Sequence, residues 1–253
     1  MKRLAILSAA AITVLSATSY AGETPANIKA GIDNPLRTDD NRARDEARKP
    51  AKVLTFFGIE NGMRIVDISS GAGYFTEILS GAVGPKGRVH AQNTAGPRIN
   101  DRIGALTEHY DQFGNISLDI TEPGAPLPYE DNTVDMIMLS LIIHHLHYNE
   151  ASGETMPEST ARYYSEFRRV LKPDGVFAVI EHKAPDGTTR QQSAEWHRIS
   201  EDVMKADITS AGFTFDGASD KIHNNPDDDE QSTWFDSLRG KTTRLVHRYR
   251  SPD

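Results

Sequence analysis

Apolar residues in this chain fall into short blocks separated by polar turns, and the spacing inside the blocks alternates between two periods. Residues 64–68, 88–92, 116–120, 134–143 and 176–180 are compact apolar runs that predict strands. Helical patterns lie between them, opening at Tyr74 and running over residues 99–110 and 159–171. The last of these puts Tyr163, Tyr164, Phe167, Val170 and Leu171 on one face and ends at the turn Lys172-Pro173-Asp174-Gly175. Strands that alternate with helices predict a mostly parallel α/β sheet covered on both faces. Residues 213–215 and 243–249 read as two late strands without a full crossover helix between them. They predict an antiparallel addition at the sheet edge.

The first sixty residues follow other rules. Lys2 and Arg3 precede an apolar run over residues 4–15, and Ser19-Tyr20-Ala21 places small residues at the two positions a signal peptidase reads. That three-part pattern predicts a signal peptide over residues 1–21, and so an exported, periplasmic or secreted chain beginning at Gly22. The run is too short for a comfortable membrane span, no Cys follows it to carry a lipid, and no twin-Arg pair is present. Residues 22–37, polar and broken by Pro25 and Pro35, predict an extended arm, leaving residues 38–253 as the folded domain. A charged helix is expected over residues 39–49, capped by Thr38 or Asp39, and Pro50 can begin the next helix, which Gly58 stops.

Composition narrows the partners. The 253 residues carry a net charge of −8, and loss of Lys2 and Arg3 with the leader makes it −10. Such a surface disfavours nucleic acid and anionic membrane as partners. Zero Cys removes disulfides, thiolate metal sites and Cys nucleophiles. Residues 227–230, Asp-Asp-Asp-Glu, read as a solvated loop.

The chemistry concentrates at Val66-Asp67-Ile68-Ser69-Ser70-Gly71-Ala72-Gly73-Tyr74. A strand ends in small residues and a helix begins at once, so backbone N–H groups can approach a ligand closely. This segment resembles the first motif of class I S-adenosylmethionine-dependent methyltransferases. Three more segments resemble that family in the same order: Leu127-Pro128-Tyr129-Glu130-Asp131 leading to Val134-Asp135, His144-His145-Leu146 after the fourth strand, and Arg169-Val170-Leu171-Lys172-Pro173-Asp174-Gly175. The leader, residues 44–50 and His197-Arg198-Ile199 also resemble a branch of exported proteins predicted to be methyltransferases. The resemblance implies a Rossmann-like, doubly wound, seven-stranded sheet with an antiparallel C-terminal strand. It implies S-adenosylmethionine as cofactor, held by Asp67, Ser69, Gly71, Gly73, Asn93 and, near the adenine, Asp119 or Ile120. Two positions depart from the family: Ser69 stands where Gly is usual, and Asn93 where an acidic residue usually holds the ribose hydroxyls.

His144, His145 and His147 follow the fourth strand without an Asp, Glu or Cys at zinc-site spacing, and neighbours on extended chain point apart. The spacing therefore predicts no metal, with one core and two loop histidines or with His145 facing the cleft as a base. Glu181 and His182 follow the fifth strand onto the same rim and complete the catalytic candidates. Trp196, His197 and Ile199 are expected to pack a helix on the sheet, and Asp45 and Arg48 to form a helical ion pair. The function expected is methyl transfer to a small molecule. The alternative is an exported, non-catalytic binding or accessory protein that keeps the fold; a hydrolase lacks both a G-x-S-x-G elbow and an H-E-x-x-H helix.

Overall fold

Alternation along the strands decides which helix packs where. In the computed structural model, which describes residues 23–219, 222–225, 232, 233, 238 and 240–252, seven strands form one sheet. They are β1 (Arg64–Ile68), β2 (Arg88–Thr94), β3 (Ile116–Thr121), β4 (Val134–Ser140), β5 (Leu171–His182), β6 (Thr214–Ala218) and β7 (Arg244–Arg250), in spatial order β3-β2-β1-β4-β5-β7-β6. Neighbours from β3 through β5 pair parallel, and β7 runs antiparallel to both β5 and β6. This is the Rossmann-like arrangement with an antiparallel C-terminal strand that the resemblance implies.

The helices are α1 (Ala26–Ile32), α2 (Asp39–Arg42), α3 (Asp45–Arg48), α4 (Pro50–Phe57), α5 (Tyr74–Val83), α6 (Pro97–Asn100), α7 (Ile103–Asp111), α8 (Glu158–Val170), α9 (Arg190–Trp196) and α10 (Glu201–Ser210). Ile65, Val89, Ala91, Met136, Met138 and Ala178 face one side of the sheet and pack with residues of α1, α4, α5 and α7. Val66, Ile68, Ile137, Leu139, Phe177 and Val179 face the other and pack with α8 and α10. Central strands buried on both faces explain why 134–140 reads as a continuous apolar run. Among the described residues, no helix is long and apolar enough to cross a membrane.

Several local expectations change. Where an extended arm is expected, Ala26–Ile32 is helical and docks on α5. The crossing is tight because both helices bring a glycine: a Cβ on Gly31 would overlap the Ile78 carbonyl oxygen, and one on Gly81 would lie 2.7 Å from the Gly31 Cα. Thr38 caps α2 as expected, accepting from the Asn41 N–H, but the charged helix breaks at Arg44 into α2 and α3. Residues 99–110 likewise divide, at Asp101 and Arg102, into α6 and α7. β4 stops at Ser140 because Leu141 takes a left-handed φ of 59°, turning the chain into a 3-10 turn at Ile143–His145. The turn at 172–175 is carried inside β5, with Asp174 left-handed. The predicted leader and the acidic run at 227–230 lie outside the described residues.

Candidate functional site

The chain leaves β1 to build β2 and β3 on one side, then returns through β4 to build β5 on the other. A crevice forms at the strand C-termini where the winding reverses, between β1 and β4. The Gly-rich turn follows β1, and the histidine turn follows β4, so both flank that crevice.

In the Gly-rich turn, Ser69, Gly71 and Gly73 all have left-handed φ, 52°, 59° and 78°. The two glycines serve different ends. A Cβ on Gly73 would collide with the Tyr110 hydroxyl, so Gly73 is needed for packing. A Cβ on Gly71 meets nothing nearer than the Ser69 carbonyl oxygen at 3.9 Å, so the space above it is open to a ligand. Ser69 adopts the left-handed region without glycine, a strain of about 1 kcal/mol. The buried Tyr110 hydroxyl beside this turn has no well-directed hydrogen bond.

Asn93 clamps the turn. Its Oδ1 accepts from the Gly71 N–H at 2.9 Å, and its Nδ2 donates to Ser70 Oγ at 2.8 Å. Ile120 pairs with Asn93 across β2 and β3 and shares its face. Asp119 therefore points to the opposite face, where its carboxylate is held by His90 Nδ1 at 2.8 Å and the Tyr129 hydroxyl at 2.9 Å. Burial would raise its pKa, but the His90, Tyr129 and Ser117 contacts outweigh that and lower it. Of the two adenine candidates, the structure sets only Ile120 beside Asn93. Asp67 lies under the turn, fully buried, accepting from Thr76 Oγ1 at 2.7 Å. Burial lifts its pKa to about 6, against the opposing effects of Thr76 and Arg48.

The segment before β1 lies against this turn. Asn41 Nδ2 donates to the Ala72 carbonyl at 3.3 Å, and the Thr38 N–H donates to Glu77 Oε2 at 3.2 Å. Asp45 does not pair with Arg48. It takes a bidentate bond from the buried Arg37, at 2.7 and 2.8 Å, and another from the Tyr74 hydroxyl at 2.8 Å. Burial works to raise the Asp45 pKa, but these partners hold it below the ordinary value. Arg48 instead stacks 4.5 Å over the Tyr74 ring. Burial, Arg44 and Arg244 together push its pKa down to about 9, and burial takes Arg244 to about 10. Arg44, Arg48 and Arg244 gathered beside Tyr74 make a locus of positive potential, suited to an anionic group.

The histidine turn departs from the sequence expectation. A 3-10 turn replaces extended chain, so His144 and His145 do not point apart; their ring centroids are 4.2 Å from one another. Two of the three histidines are buried, where one was expected. His144 has Nδ1 2.9 Å from Glu181 Oε2 and donates its backbone N–H to the same oxygen. His147 is structural, with Nε2 2.8 Å from the Tyr164 hydroxyl and Nδ1 2.6 Å from Asp207, which Arg190 also binds. His145 is exposed, and partial burial with His144 and His197 nearby lowers its pKa to about 4. Glu181 is fully buried; burial would raise its pKa, but His144 and His182 lower it. His182 turns to Thr242 Oγ1 at 2.7 Å, with burial taking its pKa to about 3.

His197 joins this cluster. It is the left-handed C-cap of α9 and not part of a helix, and its ring centroid lies 5.2 Å from that of His144 and 5.0 Å from that of His145. Ile199 packs on the sheet as expected, but through strand-like bonds to His182 and Ala184. No spacing in the sequence links residues 145 and 197; only the resemblance at His197-Arg198-Ile199 marked the position.

Comparison with known proteins agrees with the geometry. The family profile described as "Methyltransferase domain" matches residues 59–234. A second profile, protein-L-isoaspartate(D-aspartate) O-methyltransferase, matches the shorter stretch 7–95. The ubiquinone/menaquinone biosynthesis C-methyltransferase UbiE of Pasteurella multocida is 28% identical over 132 residues, 51% of this chain and 43% of that protein. Demethylmenaquinone methyltransferase of Staphylococcus aureus is 25% identical over 134 residues, 53% of this chain and 49% of its own length. The chain spans about half the length of these curated relatives. A SAM-dependent methyltransferase from Aquifex aeolicus superposes with a TM-score of 0.59 at 23% identity, over 88% of this chain and 96% of its own. One from Mesorhizobium loti gives 0.53 at 16% identity, over 81% and 97%.

Proposed function

Because the chain belongs to the methyltransferase-domain family, for which S-adenosylmethionine is the cofactor, we propose that it transfers a methyl group from S-adenosylmethionine to a small molecule. The observation that carries this is the open, left-handed Gly71 in the turn after β1, at the reversal beside β4, which the histidine turn follows. The cofactor, when bound, supplies an already activated sulfonium methyl. The chain's own residues have to hold and orient. Gly71 and the Asn93 amide shape the turn, Ile120 flanks it, and the guanidinium groups of Arg44, Arg48 and Arg244 offer a counter-charge to a carboxylate. His145, exposed and neutral above about pH 4, can accept a proton from the acceptor. His144 is held by Glu181, so Glu181 acts on the rim through that ring.

Calorimetric titration with S-adenosylmethionine and S-adenosylhomocysteine tests the reading. The native chain binds both, and Gly71→Val abolishes binding by filling the open space. Left-handed Val itself strains the fold by about 1–2 kcal/mol, so the variant's melting is followed in parallel. A native chain that binds neither, with its melting temperature unmoved by ligand, returns the protein to a non-catalytic role on a shared fold. We also propose that the working protein is exported and begins at Gly22, on the strength of the residue pattern at 1–21.

A further inference from the structure

His144, His145 and His197 each present one ring nitrogen, and these three atoms lie within 4.8 Å of one another. The rings come from two distant segments. His144 and His145 sit on the 3-10 turn after β4, and His197 caps α9. Both segments are fixed by backbone bonds. The Ile199 N–H donates to the His182 carbonyl at 2.9 Å and the Ala184 N–H to the Ile199 carbonyl at 2.8 Å, which seats the α9 cap over the turn.

Behind the cluster stands a buried carboxylate. Glu181 is inaccessible to solvent, and its Oε2 lies 2.9 Å from His144 Nδ1. Its oxygens also accept the backbone N–H groups of His144 and His182, at 3.1 and 2.7 Å. Glu181 Oε2 lies within ion-pair distance of Nδ1 without the alignment of a hydrogen bond, so a small rotation of the ring makes it the outer carboxylate partner that supports a metal-bound imidazole, with the Nε2 lone pair left for the metal. Packing alone would be served by apolar rings and gives no reason for three imidazoles backed by a buried acid.

We propose that His144, His145 and His197 bind a borderline divalent transition ion such as Zn2+, with Glu181 orienting His144. Three neutral nitrogens with no oxygen or thiolate ligand suit zinc, copper, cobalt or nickel and do not suit magnesium or calcium. Zn–N bonds of about 2.0–2.1 Å in a tetrahedron set the nitrogens about 3.3 Å apart, so the cluster closes by about 1.5 Å at most. The exposed His145 and the half-buried His197 have room to make that movement towards the buried His144. Three protein ligands leave a fourth position for water or a substrate oxygen. The site does not depend on methyl transfer. A nitrogen that holds a metal accepts no proton, so metal binding and His145 acting as a base exclude one another.

The test uses the purified, tag-free chain after chelation, titrated with Zn2+ and with Co2+ in the absence of S-adenosylmethionine. The expected result is one equivalent bound with a Kd of about 1 µM or tighter, and a Co2+ visible spectrum typical of four or five ligands. His145→Ala and His197→Ala each weaken Zn2+ by roughly tenfold or more, and Glu181→Gln by about 10–100-fold. His109→Ala, away from the cluster, leaves affinity unchanged. Circular dichroism and melting are followed for each variant. His145 is exposed, so its variant decides the question even if Glu181→Gln fails to fold. Zn2+ binding that His145→Ala leaves unchanged, or a native Kd weaker than about 100 µM, overturns the proposal.

Discussion

Asp67→Asn gives a direct measure of what the floor of the cleft does to stability. The native carboxyl is fully buried and has one strong partner, Thr76 Oγ1 at 2.7 Å. Asn has the same shape, and its Oδ1 can accept the same bond, so it stands in for protonated Asp. In the folded chain burial holds the Asp67 pKa at about 6, against 3.8 for an ordinary aspartate. Between those values the folded state holds a proton that the unfolded state has released. Stability from this group is complete below about pH 4 and is lost as pH rises through 6. A displacement of about two units corresponds to about 3 kcal/mol. The variant and native chains should therefore be nearly equal below pH 4. The variant should gain steeply between pH 4 and 6 and keep an advantage of about 3 kcal/mol at pH 8. For a domain of this size, that is about 6–12 °C in melting temperature. Denaturant melts in steps from pH 4 to 8 read it directly. A difference that is flat with pH, or an advantage that shrinks as pH rises, would refute the argument that burial dominates at Asp67.

Other outcomes follow from the same geometry. Gly73→Ala should destabilise the fold by about 2 kcal/mol or more, because its Cβ strikes Tyr110 from a left-handed position, and thermal melting would show it. Asn93→Asp keeps the bond from the Gly71 N–H and puts a carboxylate where it can accept from both ribose hydroxyls; by calorimetry it should bind S-adenosylmethionine several-fold more tightly, about 1 kcal/mol. In the chelated, metal-free chain, neutral His145 predicts that any His145-dependent transfer shows its acid limb near pH 4 and stays flat from pH 6 to 8 in rate measurements. N-terminal sequencing of protein from its native host should start at Gly22, and an intact Met1 on mature cytoplasmic protein would defeat the export proposal.

Period and punctuation carried most of the architecture. The five parallel strands, the Thr38 cap, Pro50 and Gly58 were legible because each has a local cause. The failures are places where a distant partner decides. Ala26–Ile32 looks like a polar arm until α5 covers Ile28 and Gly31. Asp45 and Arg48 have helical spacing, but Arg37 and Tyr74 compete for the carboxylate and win. The Gly-rich turn could be read because strand, small residues and helix are contiguous. The separation of Asp119 from Asn93 follows from the register of β2 with β3, which no local pattern announces. His197 was invisible as a member of the rim because its neighbours in space lie about fifty residues away in sequence.

Two glycines back to back where α1 crosses α5 also bear on the order in which the chain assembles. α1 has seven residues, roughly half of what an isolated helix needs to persist in water. It becomes helical only on meeting α5, at a notch that one methyl group would fill. The first helix among the described residues is thus among the last that can settle, since its receiving surface is about fifty residues downstream. Until that closure Ala26–Ile32 remains an unfinished end of the molecule, open to proteases and to any binding partner throughout the interval.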